Sequence, residues 1–152
     1  MPSSTRVRSL VPEAGHRRAL IDTSVVIDLE SFDATALRGE LAVSTVTLAE
    51  LAAGPHATAD PVEKALRQDR LQRVEATFEA LPVDHAVARA YGRVYAEVVG
   101  AGGRKARGRR TMDLLIAATA LAVELPLYTA NTADFNGLDR LVDVVAVSSR
   151  AV

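Results

Sequence analysis

The sequence contains no cysteine and no tryptophan, and its aromatic residues are three phenylalanines and three tyrosines. Without cysteine there is no disulfide framework, zinc ribbon, iron–sulfur cluster or thiol nucleophile, a composition suited to a reducing cytoplasm. Histidine is scarce as well. His16, His56 and His85 show no metal-ligand or catalytic-pair spacing and read as surface or capping residues, which disfavours imidazole acid–base chemistry. Neither sign of charge is in excess: 18 basic residues face 19 acidic ones for a net charge of −1, so no global field draws nucleic acid or a membrane surface. The longest apolar stretch, Leu114 to Val123, is about half the ~20 residues that a bilayer span requires. The N-terminus has arginines but no apolar core and no small-residue cleavage site, so no signal peptide is expected. These absences predict a cytoplasmic protein without membrane contact.

What is present suits one globular domain. The chain has 152 residues, 49% of them hydrophobic and 24% charged, enough to bury a self-sufficient core. Residues 1–18 are polar and aperiodic and read as a flexible N-terminal extension, with the folded domain over 19–152. Basic charge is concentrated at residues 101–110 (AGGRKARGRR), where Arg104, Lys105, Arg107, Arg109 and Arg110 give a local +5. The rest of the chain therefore carries −6, the difference between −1 and +5. An anionic partner such as an RNA backbone would meet this loop, whose phosphate contacts supply affinity and little sequence information.

Short apolar strands alternate with helical patterns. Ala19 to Ile21 is a strand that stops at Asp22; Thr23 or Ser24 then caps a helix using Val25, Val26 and Leu29. Residues 41–45 form a second strand and 46–54 a short helix ended by Gly54 and Pro55. An amphipathic helix spans 61–80, a third strand 81–83, and a helix capped by Asp84 runs to Val99. Tyr91 and Tyr95, one turn apart on that helix, read as packing residues in preference to a base-stacking platform. Residues 111–124 are apolar all round except at Asp113, the pattern of a helix in the middle of a fold. Strands at 126–130 and 142–147 follow, joined by a loop with a short helix. This alternation predicts an α/β fold, a three-layer sandwich with a mainly parallel five-stranded central sheet.

In open α/β sheets ligands bind beyond the carboxyl ends of the strands. Asp22 falls there directly, Asp134 lies a few residues past strand four, Glu50 sits about one turn into the helix after strand two, and Asp113 heads the apolar helix. Grouped carboxylates repel one another unless a cation joins them. A hard ion, Mg²⁺ or Mn²⁺, takes oxygen ligands, polarises a phosphoryl oxygen and activates a water, so phosphodiester hydrolysis is the chemistry that this set suits. Taken singly, each acid also has a structural reading: Asp22 as a helix cap, Glu50 as a solvated helix acid, Asp113 as a helix-dipole partner and Asp134 as an Asx-turn residue.

Four motifs in order, LIDTSVVIDL (20–29), STVTLAEL (44–51), MDLLIAATA (112–120) and LYTANTADFNGL (127–138), resemble those of PIN-domain ribonucleases, most closely the VapC-type toxins of toxin–antitoxin pairs. The resemblance runs from about residue 19 to 147. It implies a Mg²⁺-dependent endoribonuclease, with Mn²⁺ as the alternative ion, that cuts cellular RNA and is held inactive by a cognate VapB-like antitoxin. It also implies a homodimer. Carried over, Asp22, Glu50 and Asp113 correspond to the acidic triad and Asp134 to a further acid, with Asp22 and Asp113 as the expected direct metal ligands. Thr23 matches a small hydroxyl residue beside the first acid, and Asn131 is a neutral alternative to Asp134. The extension before Ala19 and the arginine-rich loop depart from the family pattern.

Two other readings compete. A haloacid-dehalogenase-like phosphatase would need an aspartate where this chain has Ser24 and a late lysine, and only Lys64 and Lys105 exist. A catalytically silent RNA- or partner-binding module of the same fold would have no need of four acids.

Overall fold

Five strands, β1 (Arg18–Ile21), β2 (Glu40–Ser44), β3 (Glu79–Leu81), β4 (Leu127–Thr129) and β5 (Val144–Ala146), form one sheet in the order β3-β2-β1-β4-β5. All four pairings are parallel. The structure is a computed structural model that describes residues 18–32, 37, 39–100, 102 and 108–148; the expected extension lies outside them, apart from Arg18, which opens β1.

Alternation along the strands sorts side chains between two cores, because successive residues point to opposite faces. Leu20, Ala42 and Leu127 enter one core, against Val87, Val94 and Val98 of α4 (His85–Gly100) and Leu114, Ile116 and Ala117 of α5 (Arg109–Val123). Ala19, Ile21, Val43 and Tyr128 enter the other. There they meet Val25 and Val26 of α1 (Thr23–Ile27), Leu51 of α2 (Thr45–Ala53) and Val74 of α3 (Pro61–Thr77). Strands covered on both faces read as continuous apolar runs, which is why ALI and LAV carry no polar alternation. The result is the expected three-layer sandwich.

The strand order places a switch point. The chain leaves β1 toward β2 and β3 on one side and returns to β4 and β5 on the other, opening a crevice at the carboxyl ends of β1 and β4.

Several boundaries differ from the sequence expectation. Asp22, not Thr23 or Ser24, caps α1: its carboxylate accepts from the Val25 amide and both hydroxyl residues fall inside the helix. Leu29 belongs to a separate 3₁₀ turn, Leu29–Ser31. Helix α3 ends at Thr77 and not at Ala80, because Glu79, Ala80 and Leu81 pair with Ala42, Val43 and Ser44 of β2. The third strand is therefore Glu79–Leu81 in place of 81–83; Pro82 lacks the amide that a ladder needs. Arg109 and Arg110, read as loop, form the first turn of α5. Gly108 precedes them with φ 56°, a left-handed turn that a residue with a Cβ rarely adopts. Tyr91 and Tyr95 pack against the core with ring centroids 6.1 Å apart, as expected of packing residues.

Candidate functional site

The crevice at the switch point is built from hydroxyl residues around carboxylates. The β1–β4 register pairs Leu20 with Leu127 and Ile21 with Tyr128, so one further step sets Asp22 beside Thr129. Thr129 is fully buried and its hydroxyl donates to Asp22 Oδ2 at 2.6 Å. Ser24 Oγ donates to Asp22 Oδ1 at 2.5 Å, and the Val25 amide reaches the same oxygen at 3.2 Å. Each hydroxyl also accepts: Ser24 Oγ from the Ala130 amide at 3.1 Å and Thr129 Oγ1 from the Asn131 amide at 3.0 Å. The end of β1 and the loop leaving β4 are thereby stitched together through one carboxylate.

Asp22 is only 5% exposed. Burial pushes its carboxyl above the ordinary value of 3.8; the Ser24, Thr129 and Val25 hydrogen bonds oppose that rise, and the charge of Asp134 adds to it. Desolvation outweighs three donors because donors stabilise an anion without neutralising it. Among the described residues no arginine, lysine or histidine ion-pairs with Asp22, Glu50 or Asp134.

Glu50 reaches the same place from α2. Thr23, the first residue of α1, donates to Glu50 Oε1 at 2.9 Å, and its hydroxyl lies 3.0 Å from that of Thr47. Ser44, the last residue of β2, caps α2: its hydroxyl accepts from the Val46 amide and lies 3.4 Å from that of Thr119 of α5. Asp134 is half-buried in a 3₁₀ turn, Thr132–Phe135, close enough for its charge to act on Asp22. Arg110 donates from Nη1 to the Asp134 carbonyl at 3.2 Å, tying α5 to this turn. Asp113 stands half-buried near the head of α5, which packs against α2 and the same turn.

The donor set is entirely oxygen, which fits a hard divalent cation and not zinc or copper. Among the described residues no group of three or more aspartates, glutamates, histidines or cysteines is placed to hold a metal ion. Mg²⁺ needs no such group, since it keeps several waters and binds through one or two carboxylates plus substrate phosphate. Asp22 has two of its three donors on Oδ1 and one on Oδ2, so Oδ2 retains the capacity for a ligand bond.

A family model, the PIN domain, matches residues 19–141. The chain belongs to the PIN-domain family. Over 139 residues it is 37% identical to ribonuclease VapC5 of Mycobacterium tuberculosis, a match that covers 90% of this chain and 96% of the relative. It is 38% identical over 117 residues to ribonuclease VapC4 of the same organism, covering 74% and 85%. Among solved structures, a VapBC toxin–antitoxin family member from M. tuberculosis, VapBC-5, aligns with TM-score 0.73 at 36% identity, over 86% of this chain and 99% of that one.

Within this PIN-domain fold the structure links Asp22 to Glu50 through the adjacent Thr23 and brings Asp134 into electrostatic range of Asp22. Asn131 is exposed and contributes its backbone amide to Thr129. Of the basic loop, Arg104, Lys105, Arg107 and the Arg109 side chain lie outside the described residues; Arg110 is bound to the site by its carbonyl contact. Sequence reasoning missed Thr129 and Thr47 and gave Ser24 only a capping role. Two signals were there to find: Thr129 lies at the carboxyl end of the strand expected over 126–130, next to the loop holding Asp134, and Thr47 is three positions before Glu50, on one helix face.

Proposed function

We propose that the chain is a VapC-type endoribonuclease toxin, a divalent-metal-dependent phosphodiesterase neutralised by a VapB-like antitoxin. The observation that carries the reading is Asp22: a nearly buried carboxylate, fixed by three donors, without a cationic partner among the described residues, at the switch-point crevice of a PIN fold. The sequence likeness to two named VapC ribonucleases and the structural likeness to a toxin–antitoxin member support the activity and the partner.

Asp22 and Asp113 are the residues that would hold Mg²⁺ or Mn²⁺, and Glu50 and Asp134 complete the acidic lining. When bound, the ion supplies Lewis-acid stabilisation of phosphoryl charge and lowers the pKa of a water. The protein's part is placement. Ser24 and Thr129 hold the Asp22 carboxylate at one rotamer, and Thr23 fixes Glu50 where it can orient a water or take a proton. Arg110, through the guanidinium N–H groups not given to the Asp134 carbonyl, can receive the anionic backbone of RNA beside the acids.

Because water and not the 2′-hydroxyl is the nucleophile, the products carry a 5′-phosphate and a 3′-hydroxyl. The test is cleavage of RNA by the purified chain with EDTA, Mg²⁺ or Mn²⁺, with end-group analysis of the fragments. Asp22→Asn and Asp113→Asn should each abolish cleavage with the fold retained. A 2′,3′-cyclic phosphate, undiminished cleavage in EDTA, or activity in both variants overturns the reading.

A further inference from the structure

Thr47 is fully buried, yet it is a polar residue in the middle of α2 that caps nothing and contacts no charge directly. Its partner is the hydroxyl of Thr23. Counting protons gives that contact a direction. An ionised carboxylate only accepts, so the single proton of Thr23 is committed to Glu50 Oε1 at 2.9 Å. The 3.0 Å contact between the two hydroxyls must then be Thr47 donating to Thr23. The result is a relay, Thr47 to Thr23 to Glu50, whose polarity is set at its buried end.

We propose that Thr47 is a positioning residue for the acidic site: by donating to Thr23 it fixes the hydroxyl that bonds Glu50 and so holds Glu50 in the acidic lining. Several features of the site support this role. Thr47 and Glu50 share a face of α2 at a spacing of three, so the relay joins two residues of one helix through a residue of another. Thr23 directly follows Asp22, which means that the same relay fixes the distance between α1 and α2 at the position where both acids emerge. Both threonines are β-branched and stiff at χ1, so their hydroxyls are aimed with little loss of rotamer freedom. Without Thr47, the Thr23 hydroxyl still donates to Glu50 but loses the donor that fixes its own position, so the bond to Glu50 is no longer anchored at its buried end. The Glu50 carboxylate then samples positions from which it no longer supports the waters of an ion held by Asp22 and Asp113.

The proposal rests on the metal-dependent reading of the site, and its test separates the two. Mn²⁺ binding to the full chain is followed by electron paramagnetic resonance of the free ion, without RNA, for the wild type, Thr47→Val, Thr47→Ser, Thr23→Val and the double variant. Loss of an outer partner of a metal ligand costs typically 10–100-fold in metal affinity; Thr47 acts farther out, through Thr23 and Glu50, so Thr47→Val should weaken Mn²⁺ binding by the lower end of that range, about tenfold. Thr47→Ser, which keeps the hydroxyl, should restore binding to within about twofold of wild type, well short of that loss. In the Thr23→Val background Thr47→Val should add no further loss, since Thr47 acts only through Thr23. Thr47→Ala replaces Thr47→Val if the latter fails to fold. Unchanged Mn²⁺ affinity in Thr47→Val, or an equal loss with and without Thr23, overturns the role of Thr47. Failure of the metal-dependent reading itself shows differently, as wild-type protein that binds no Mn²⁺ or an Asp22→Asn variant that still cleaves.

Discussion

Replacing Thr129 by valine removes one oxygen from the molecule and little else. The side chain is fully buried at the end of β4, and valine has the same branched shape, so no cavity opens. Two hydrogen bonds disappear: the 2.6 Å bond to Asp22 Oδ2 and the 3.0 Å bond from the Asn131 amide. Asn131 is exposed and its amide can turn to water. Asp22 cannot, at 5% exposure, and a bond to a charged group contributes about 1.5–3 kcal/mol. For a chain of this size each kcal/mol shifts the melting temperature by roughly 2–4 °C, so Thr129→Val should melt about 3–12 °C below wild type in EDTA at neutral pH. The effect should also depend on pH. Burial raises the folded-state pKa of Asp22 above 3.8, so the native state binds more protons than the unfolded chain between the two values, and stability falls as pH rises through that window. Thr129 opposes this rise; without it the window extends to higher pH. Urea unfolding at pH 4 and pH 7, read as a change in midpoint at constant slope, should give the larger destabilisation at pH 7. A loss below about 0.5 kcal/mol at pH 7, within the scatter of ordinary surface substitutions, or an equal loss at both pH values, would refute the claim that Thr129 stabilises a buried anion.

Asp22→Asn should unfold in EDTA at or above the wild-type temperature, since it removes a desolvated charge, and on the proposed metal-dependent reading Mg²⁺ should raise the melting point of the wild type and not of the variant; a melting point several degrees lower in EDTA counts against a functional strain at this position. At the far end of α5, Glu124 sits in the left-handed region with φ 55°, its amide bonded to the Ala120 and Leu121 carbonyls. Glu124→Gly relieves about 1 kcal/mol of that strain and should raise the urea midpoint without touching cleavage. An unchanged or lower midpoint would place the αL penalty elsewhere.

Much of the fold was legible because its elements are local. ALI and LAVS are apolar runs that stop at a cap, Gly54–Pro55 punctuates α2, and the all-round apolar 111–124 segment is the buried α5. Boundaries moved where partners intervened. The end of α3 was settled by the pull of Glu79–Leu81 onto β2, an interaction between residues nearly forty positions apart that no helical periodicity encodes. The acids were legible as residues following strands; their hydroxyl partners were not, because a threonine in a strand or helix looks like β-propensity or a neutral filler.

The sequence alone narrowed the class of chemistry: no thiol, no paired imidazole, and carboxylates set after parallel strands, leaving carboxylate oxygens as the candidate ligands. Tertiary structure decided which of those oxygens act together. Thr129 meets Asp22 across 107 positions because β4 lies beside β1 in one parallel register, and a slip of one residue would turn its hydroxyl to the opposite face. Thr47 meets Thr23 because α1 and α2 rise from neighbouring strands with their first turns adjacent. Hydrogen bonds are short and directional, so which groups meet is fixed by strand order and helix rotation, quantities that exist only once the chain has packed.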